Sequence, residues 1–464
     1  MTTDQLLKVH VSAARSGTAQ ATWGQQAIWD AVSGLGADAP RYNLMLPVEL
    51  DPGRPLPEVL DDLTALLHLH ESLRTRLRPD ESGGLRQILD GEGDLPVALW
   101  NCPPEEADRQ RDALLADLLG RPFDTARQWP VRAGLVECDG LVRHLVLVLS
   151  HTASDGWGIR RLHQDVIDLG RGLTVARIRA RRPSLQPLDE AALQASDRGR
   201  RRDVAARRHW CERLEGGAAR LFTSSGAEPD DPARLLPNAR LHSPALAHAV
   251  EQVAAGRGVS TSSVLLAALA VQQSRLSGAE AALLQVVVNN RFLPTTAQAV
   301  STMAQEGLFH LPSARGRFTE VLRRAHLAAL GCYRHAAYDR RLLTRDLAEL
   351  GRVAGPLADR SCTFNDARIV RADAAPTTDP PPLDRPPRDR LDRLREQTRL
   401  SWPVEFPPRA DFTFALDAVL TPGALELAMT ADSALISRAG MERLLYGVEE
   451  LIVDEAVSLG RDRD

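Results

Sequence analysis

The stretch Leu145 to Gly158, LVLVLSHTASDGWG, constrains this chain more than any other. Leu145 to Leu149 is a short, wholly apolar run and reads as a buried strand. The polar run from Ser150 to Gly156 ends it at once. Ile159, Leu162, Val166 and Leu169 then share one helical face. A strand, a tight loop and a helix therefore follow one another directly. Loops held this way by a rigid scaffold are where functional side chains gather. His151 at the strand end is a proton acceptor whose ordinary pKa lies near working pH. Asp155, in a turn ending in Gly156, can fix that turn through backbone hydrogen bonds or an ion pair. Gly156 permits close backbone approach. The string His-x-x-x-Asp-Gly is weak by itself, because a turn histidine after a buried strand accounts for it too.

The remaining pattern mixes helices and strands without a regular βαβ period. Leu56 to Leu73 carries apolar residues at helical spacing, and Val264 to Leu276 reads as a helix capped by Ser260 or Thr261 and ended by Gly278. Leu283 to Val288 and the alternating Phe412 to Val419 read as strands, and Ile436 to Ile452 as a terminal helix. Interleaving of this kind favours an α/β or α+β class. Two stretches look like punctuation. Arg177 to Arg208 is arginine-rich and reads as a solvated, partly disordered linker. Pro376 to Asp389 contains Pro380 to Pro382, which cannot sit inside a helix or a central strand, and reads as a surface loop.

Composition narrows the function. At 464 residues, 44% hydrophobic and 25% charged, the chain can build a large core, which excludes general disorder. Lys plus Arg is 57 against 61 for Asp plus Glu, and a net charge of −4 argues against a dedicated nucleic-acid binder. The five cysteines, Cys102, Cys138, Cys211, Cys332 and Cys362, form no CxxC pair and read as incidental thiols of a reducing cytoplasm. No signal peptide and no membrane span of about 18 apolar residues is visible. His68 and His70 lie two apart and do not share a helix face as metal ligands would. Dinucleotide, P-loop and GxSxG patterns are not found.

Ser150 to Gly156 resembles the HHxxxDG signature of nonribosomal peptide synthetase condensation domains, members of the chloramphenicol acetyltransferase-like acyltransferases. Further matches occur in that family's order. They are Ala19-Gln20 with Gln25 to Trp29, Leu69 to Leu77 (LHESLRTRL), Arg121 to Asp124 (RPFD) and Gln186 to Trp210. Val259 to Gly278, Asn289-Asn290-Arg291 with Gln305 to Phe309, and Ser361 to Arg368 complete the series. The last resembles a segment of free-standing actinobacterial members. The resemblance covers nearly the whole chain. It implies two acyltransferase-like lobes, 1–172 and 173–464, in a V-shaped pseudo-dimer with a central tunnel.

The resemblance also implies a chemistry. A carrier-bound acyl or aminoacyl thioester, presented on 4'-phosphopantetheine, passes to an amine, or to an alcohol to give an ester. A coenzyme A thioester is the variant donor. No metal and no bound cofactor is implied, and the partners are peptidyl or acyl carrier proteins acting in trans on a monomer. His151 matches the catalytic histidine and Gly156 the glycine near the developing oxyanion. Asp155 matches the structural aspartate, which pairs with an arginine, and Arg74 is the matching partner. Ser150 departs from the pattern by replacing the first histidine. That departure motivates a second reading, a catalytically silent module that docks a carrier and recruits a tailoring enzyme. Trp157 reads as a core anchor or a substrate contact, and Asn365 and Asp366 as substrate contacts or turn formers. His70 matches a packing position. The arginine-rich stretch is either a linker or a face for an acidic carrier.

Overall fold

The computed structural model describes residues 3–81, 84–217, 220–222, 235–368, 388–409 and 411–461. They form two compact units, residues 1–201 with 289–305 and residues 202–288 with 306–464. The expected boundary at 172/173 is thus displaced to 201/202, and residues 289–305 join the first unit. Part of the reason is packing: Ile178 is buried in the first unit's core, so the segment after residue 172 stays with it.

The first unit is built on a five-stranded sheet ordered Thr3–Ser12, Glu92–Asn101, Val131–Cys138, Leu141–Leu149 and Leu44–Arg54. Neighbours are antiparallel except Glu92–Asn101 with Val131–Cys138. The period-2 alternation of a strand explains why Leu141–Leu149 ends wholly apolar. Leu145, Leu147 and Leu149 face helices Leu56–Leu69 and Gly156–Gly170. Val146 and Val148 face the opposite layer with Leu114 and Leu118 of helix Ala107–Leu119. Both sides being covered, neither face can carry polar side chains. The helix expected over Leu56 to Leu73 ends at Leu69, and Glu71–Arg74 forms a separate 3-10 turn.

The second unit carries a seven-stranded sheet. Helices Pro244–Arg257, Thr261–Ser277, Phe318–Arg334 and Arg438–Arg461 build its main core on one face. On the other face Trp210, Leu214, Leu343 and Leu347 pack on Leu283 and Leu308. Thr261–Ser277 has the expected ends. Ser260 Oγ accepts from the Ser263 amide at 3.2 Å, and Gly278 closes the helix at φ 76°. The helix is apolar nearly all round because it is buried nearly all round. Among the described residues no single helix is long and apolar enough to cross a membrane.

The arginine-rich stretch corrects the linker reading. It contains helices Val175–Arg181, Pro187–Ala195 and the first part of Asp197–Leu214. Ile178, Ala191 and Ala206 are buried, so each helix has an apolar face and the arginines occupy the others. Of the proline-rich stretch, residues 376–387 lie outside the described residues, and Arg388 opens the helix Arg388–Arg395. All five cysteines are free thiols.

Candidate active site

Ser150 closes the turn that follows the buried strand. Its amide donates to the Pro130 carbonyl at 3.0 Å, and its own carbonyl accepts from the Ala153 amide at 2.9 Å. Its hydroxyl accepts from the Thr152 amide at 3.3 Å and lies 2.8 Å from Thr152 Oγ1. A serine can therefore hold this turn where the family pattern has a histidine.

His151 is half-buried on the wall of a cavity of about 360 Å³, with Trp29, Tyr42, Leu77 and Phe123 among its other lining residues. The Tyr42 ring centroid is 6.5 Å from that of His151, tilted by 52°. Of the two ring nitrogens, only Nδ1 is buried without a hydrogen-bond partner. Burial lowers the His151 pKa, opposed by the nearby backbone and by the charge of Asp155. The imidazole is thus biased toward the neutral, proton-accepting form.

Asp155 lies four residues on and is treated differently. It is the N-cap of helix Gly156–Gly170, and Oδ1 accepts from the Gly158 amide at 3.0 Å. Oδ2 accepts from Arg291 Nη1 at 2.7 Å, from the Met303 amide at 3.0 Å and from the Ala304 amide at 3.1 Å. Burial alone would raise its pKa, but the Arg291 charge and these donors outweigh it, and the pKa falls. An anion with four donors frames the loop and has no proton to exchange near neutral pH. Gly156 is the first residue of the helix, where unpaired N–H groups and the helix dipole favour negative charge. Gly158 packs closely on the loop: a Cβ there would stand 2.2 Å from Ser154 Oγ, so that hydroxyl would have to move.

Arg291, not Arg74, is the partner of Asp155. Arg74 is 2% exposed, and its guanidinium serves backbone carbonyls instead: Leu67 at 3.1 Å, Arg15 at 3.2 Å and Asp90. With its donors pinned there, it ties the 3-10 turn to neighbouring segments. Arg291 also donates to the carbonyls of Ser301 at 2.8 Å and Asn289 at 3.1 Å. Asn290 supports it from a left-handed conformation, φ 55°, which asparagine tolerates, and donates to the Met303 carbonyl at 3.0 Å. The signal for Arg291 was present as the motif Asn289-Asn290-Arg291, but spacing did not connect it to Asp155.

Glu190 also belongs to this environment and was not anticipated. Burial pushes its pKa up to about 8, against the pull of Arg291. It accepts from Gln194 Nε2 at 2.9 Å and from the Ser301 hydroxyl at 3.3 Å. Gly24 permits helix Trp23–Ser33 to approach the same segment, since a Cβ there would meet the Thr302 carbonyl oxygen at 2.0 Å.

The other expected residues are placed elsewhere. Trp157 is only half-buried and joins none of the hydrophobic clusters among the described residues, so it is not a core anchor. Asn365 and Asp366 end the strand Cys362–Asp366 of the second unit. Asn365 donates to Asp417 at 2.9 Å, and Asp366 pairs with Arg368 at 2.6 Å. His70 is buried, with Nε2 3.0 Å from Asp165. Among the described residues, no group of three or more His, Cys, Asp or Glu side chains is placed to hold a metal ion.

Fold and site together define a mixed α/β protein with a histidine at a buried strand end and a buried Asp–Arg pair framing its loop. The condensation-domain family model matches residues 17–453, and the chain belongs to that family. Over 457 residues it is 24% identical to CymA of Salinispora arenicola (strain CNS-205), named as a nonribosomal peptide synthetase. That match takes in 94% of this chain but only 5% of CymA. Among solved structures, it is similar to a condensation domain of chain release in the enacyloxin polyketide synthase. That likeness has a TM-score of 0.66 at 19% identity over 96% of this chain and 84% of that one. SgcC5 of Streptomyces globisporus matches with a TM-score of 0.62 at 17% identity over 94% of this chain and 98% of its own.

Proposed function

We propose that the chain is an acyltransferase of natural-product assembly that joins a thioester-bound acyl or aminoacyl group to an amine. It works in trans, as a monomer in the cytoplasm, on donors carried by the 4'-phosphopantetheine of a peptidyl or acyl carrier protein. An alcohol acceptor gives an ester by the same route, and a coenzyme A thioester is the variant donor. The observation that carries this reading is the half-buried imidazole of His151 on a cavity wall, biased by burial toward its neutral form.

His151 accepts a proton from the acceptor nitrogen as that nitrogen attacks the thioester carbonyl. The C–N bond forms, the C–S bond breaks, and the thiol leaves with the proton. Negative charge on the carbonyl oxygen is stabilised from the helix start at Gly156. Asp155 takes no part in proton transfer; it and Arg291 hold the loop, and Ser150 holds its first turn. Trp157 remains a proposed substrate contact.

The test is the intact mass of acyl-loaded carrier proteins incubated with an amine pool and either wild-type or His151→Ala protein. The wild type unloads the thioester and forms an amide, and the variant is slower by about 10²–10⁴-fold. Equal unloading by both, or binding of carrier without unloading by either, overturns this reading and favours a silent docking module. Ser150 in place of the first histidine is the feature that would then explain the silence.

A further inference from the structure

The first unit holds a second cavity, of about 560 Å³, lined by five arginines and only two carboxylates. The arginines are Arg15, Arg74, Arg161, Arg179 and Arg182; the carboxylates are Glu71 and Asp165. Asp165 is already engaged by His70, Arg161 and Arg182, and Glu71 by Arg15 at 3.3 Å, while two carboxylates outside the lining, Asp189 and Asp168, pair with Arg15 at 2.5 Å and with Arg182. Donors are left over. Arg179 donates to the His68 carbonyl at 2.6 Å and has no carboxylate partner among the described residues. Arg182 Nε and Ser184 Oγ are buried atoms without a hydrogen-bond partner. His70 is 3% exposed, and its Nδ1 is likewise unpartnered.

We infer that this cavity is a binding site for a phosphate group. Guanidinium and hydroxyl donors facing one space match the acceptor oxygens of a tetrahedral oxyanion, and arginine forks suit phosphate in particular. His70 is held by Asp165, 3.0 Å from its Nε2, which leaves the unpartnered Nδ1 for the ligand. The volume is that of a small-molecule site. This inference does not depend on the acyl-transfer reading, and its readout is binding alone.

The test is calorimetric titration of the full chain with inorganic phosphate and with glycerol 3-phosphate, using acetate at equal ionic strength as the control. One saturable site is expected for phosphate and none for acetate. Tighter binding of glycerol 3-phosphate assigns an organic phosphate, and equal binding assigns the free ion; either upholds the site. Ser184→Ala and Arg179→Gln each weaken binding by about tenfold. Arg179 is exposed and engages only a carbonyl, so its variant folds, and an unchanged melting midpoint verifies that. Absence of saturable heat, equal binding of acetate, or affinity unchanged in both variants overturns the inference.

Discussion

His151 and Asp155 stand four residues apart on one loop and are built to opposite specifications. Asp155 is buried and receives four hydrogen-bond donors. His151 is half-buried, with a ring nitrogen that receives none. A polar group that is fully satisfied contributes to the frame; one left unsatisfied costs stability unless something else uses it. The contrast separates the part of the loop that holds its shape from the part that lines the cavity.

Changes in stability should reproduce that contrast. Asp155→Asn has the largest expected effect, because it leaves the Arg291 charge buried without its counter-ion. A loss of about 3–5 kcal/mol is expected in urea unfolding. The Asp155 pKa is depressed on folding, so its contribution is present above the ordinary carboxylate pKa and is lost as pH falls through the folded value.

Glu190 has the opposite sign. Its folded pKa is raised from 4.5 to about 8, so its contribution is complete at acid pH and is lost as pH rises toward 8. Glu190→Gln should remove that slope, and against the wild type the gain should grow to a few kcal/mol by the alkaline end of the window. Parallel pH–stability curves for the two proteins would break this assignment.

Ser150→Ala should cost about 1 kcal/mol, the worth of one turn hydrogen bond. His151→Ala should change the unfolding midpoint least, within about 0.5 kcal/mol, while slowing transfer by about 10²–10⁴-fold. A large stability loss on replacing His151 would mean that the ring is a frame member like Asp155, and the contrast would collapse.

Much of the frame was legible in the sequence, and the reasons are physical. Leu145 to Leu149 could be read as a buried strand because a strand covered on both faces has nowhere to place a polar residue. Thr261–Ser277 could be read because Ser260 and Gly278 mark its ends with residues that caps require. His151 and Asp155 were found because both sit where a strand stops and a helix starts. What escaped was whatever depends on distant chain. Choosing between Arg74 and Arg291 as the partner of Asp155 needs the fold, since both arginines sit in motifs of equal local strength. The arginine-rich segment misled because charge density concealed a sparse apolar face at Ile178, Ala191 and Ala206. Trp157 misled in the other direction: its ring suggested the core, and the structure leaves it half-buried.

The carboxylate of Asp155 draws donors from Arg291, Met303 and Ala304, which lie 136, 148 and 149 residues further along. On a ribosome adding about 5–20 residues per second, roughly 7–30 s separate the emergence of this loop from that of its restraints. Until then the helix cap can form, but the carboxylate has only the Gly158 amide to satisfy it. A nascent chain stalled short of residue 291 carries its histidine on a loop held only by its own turn and helix cap.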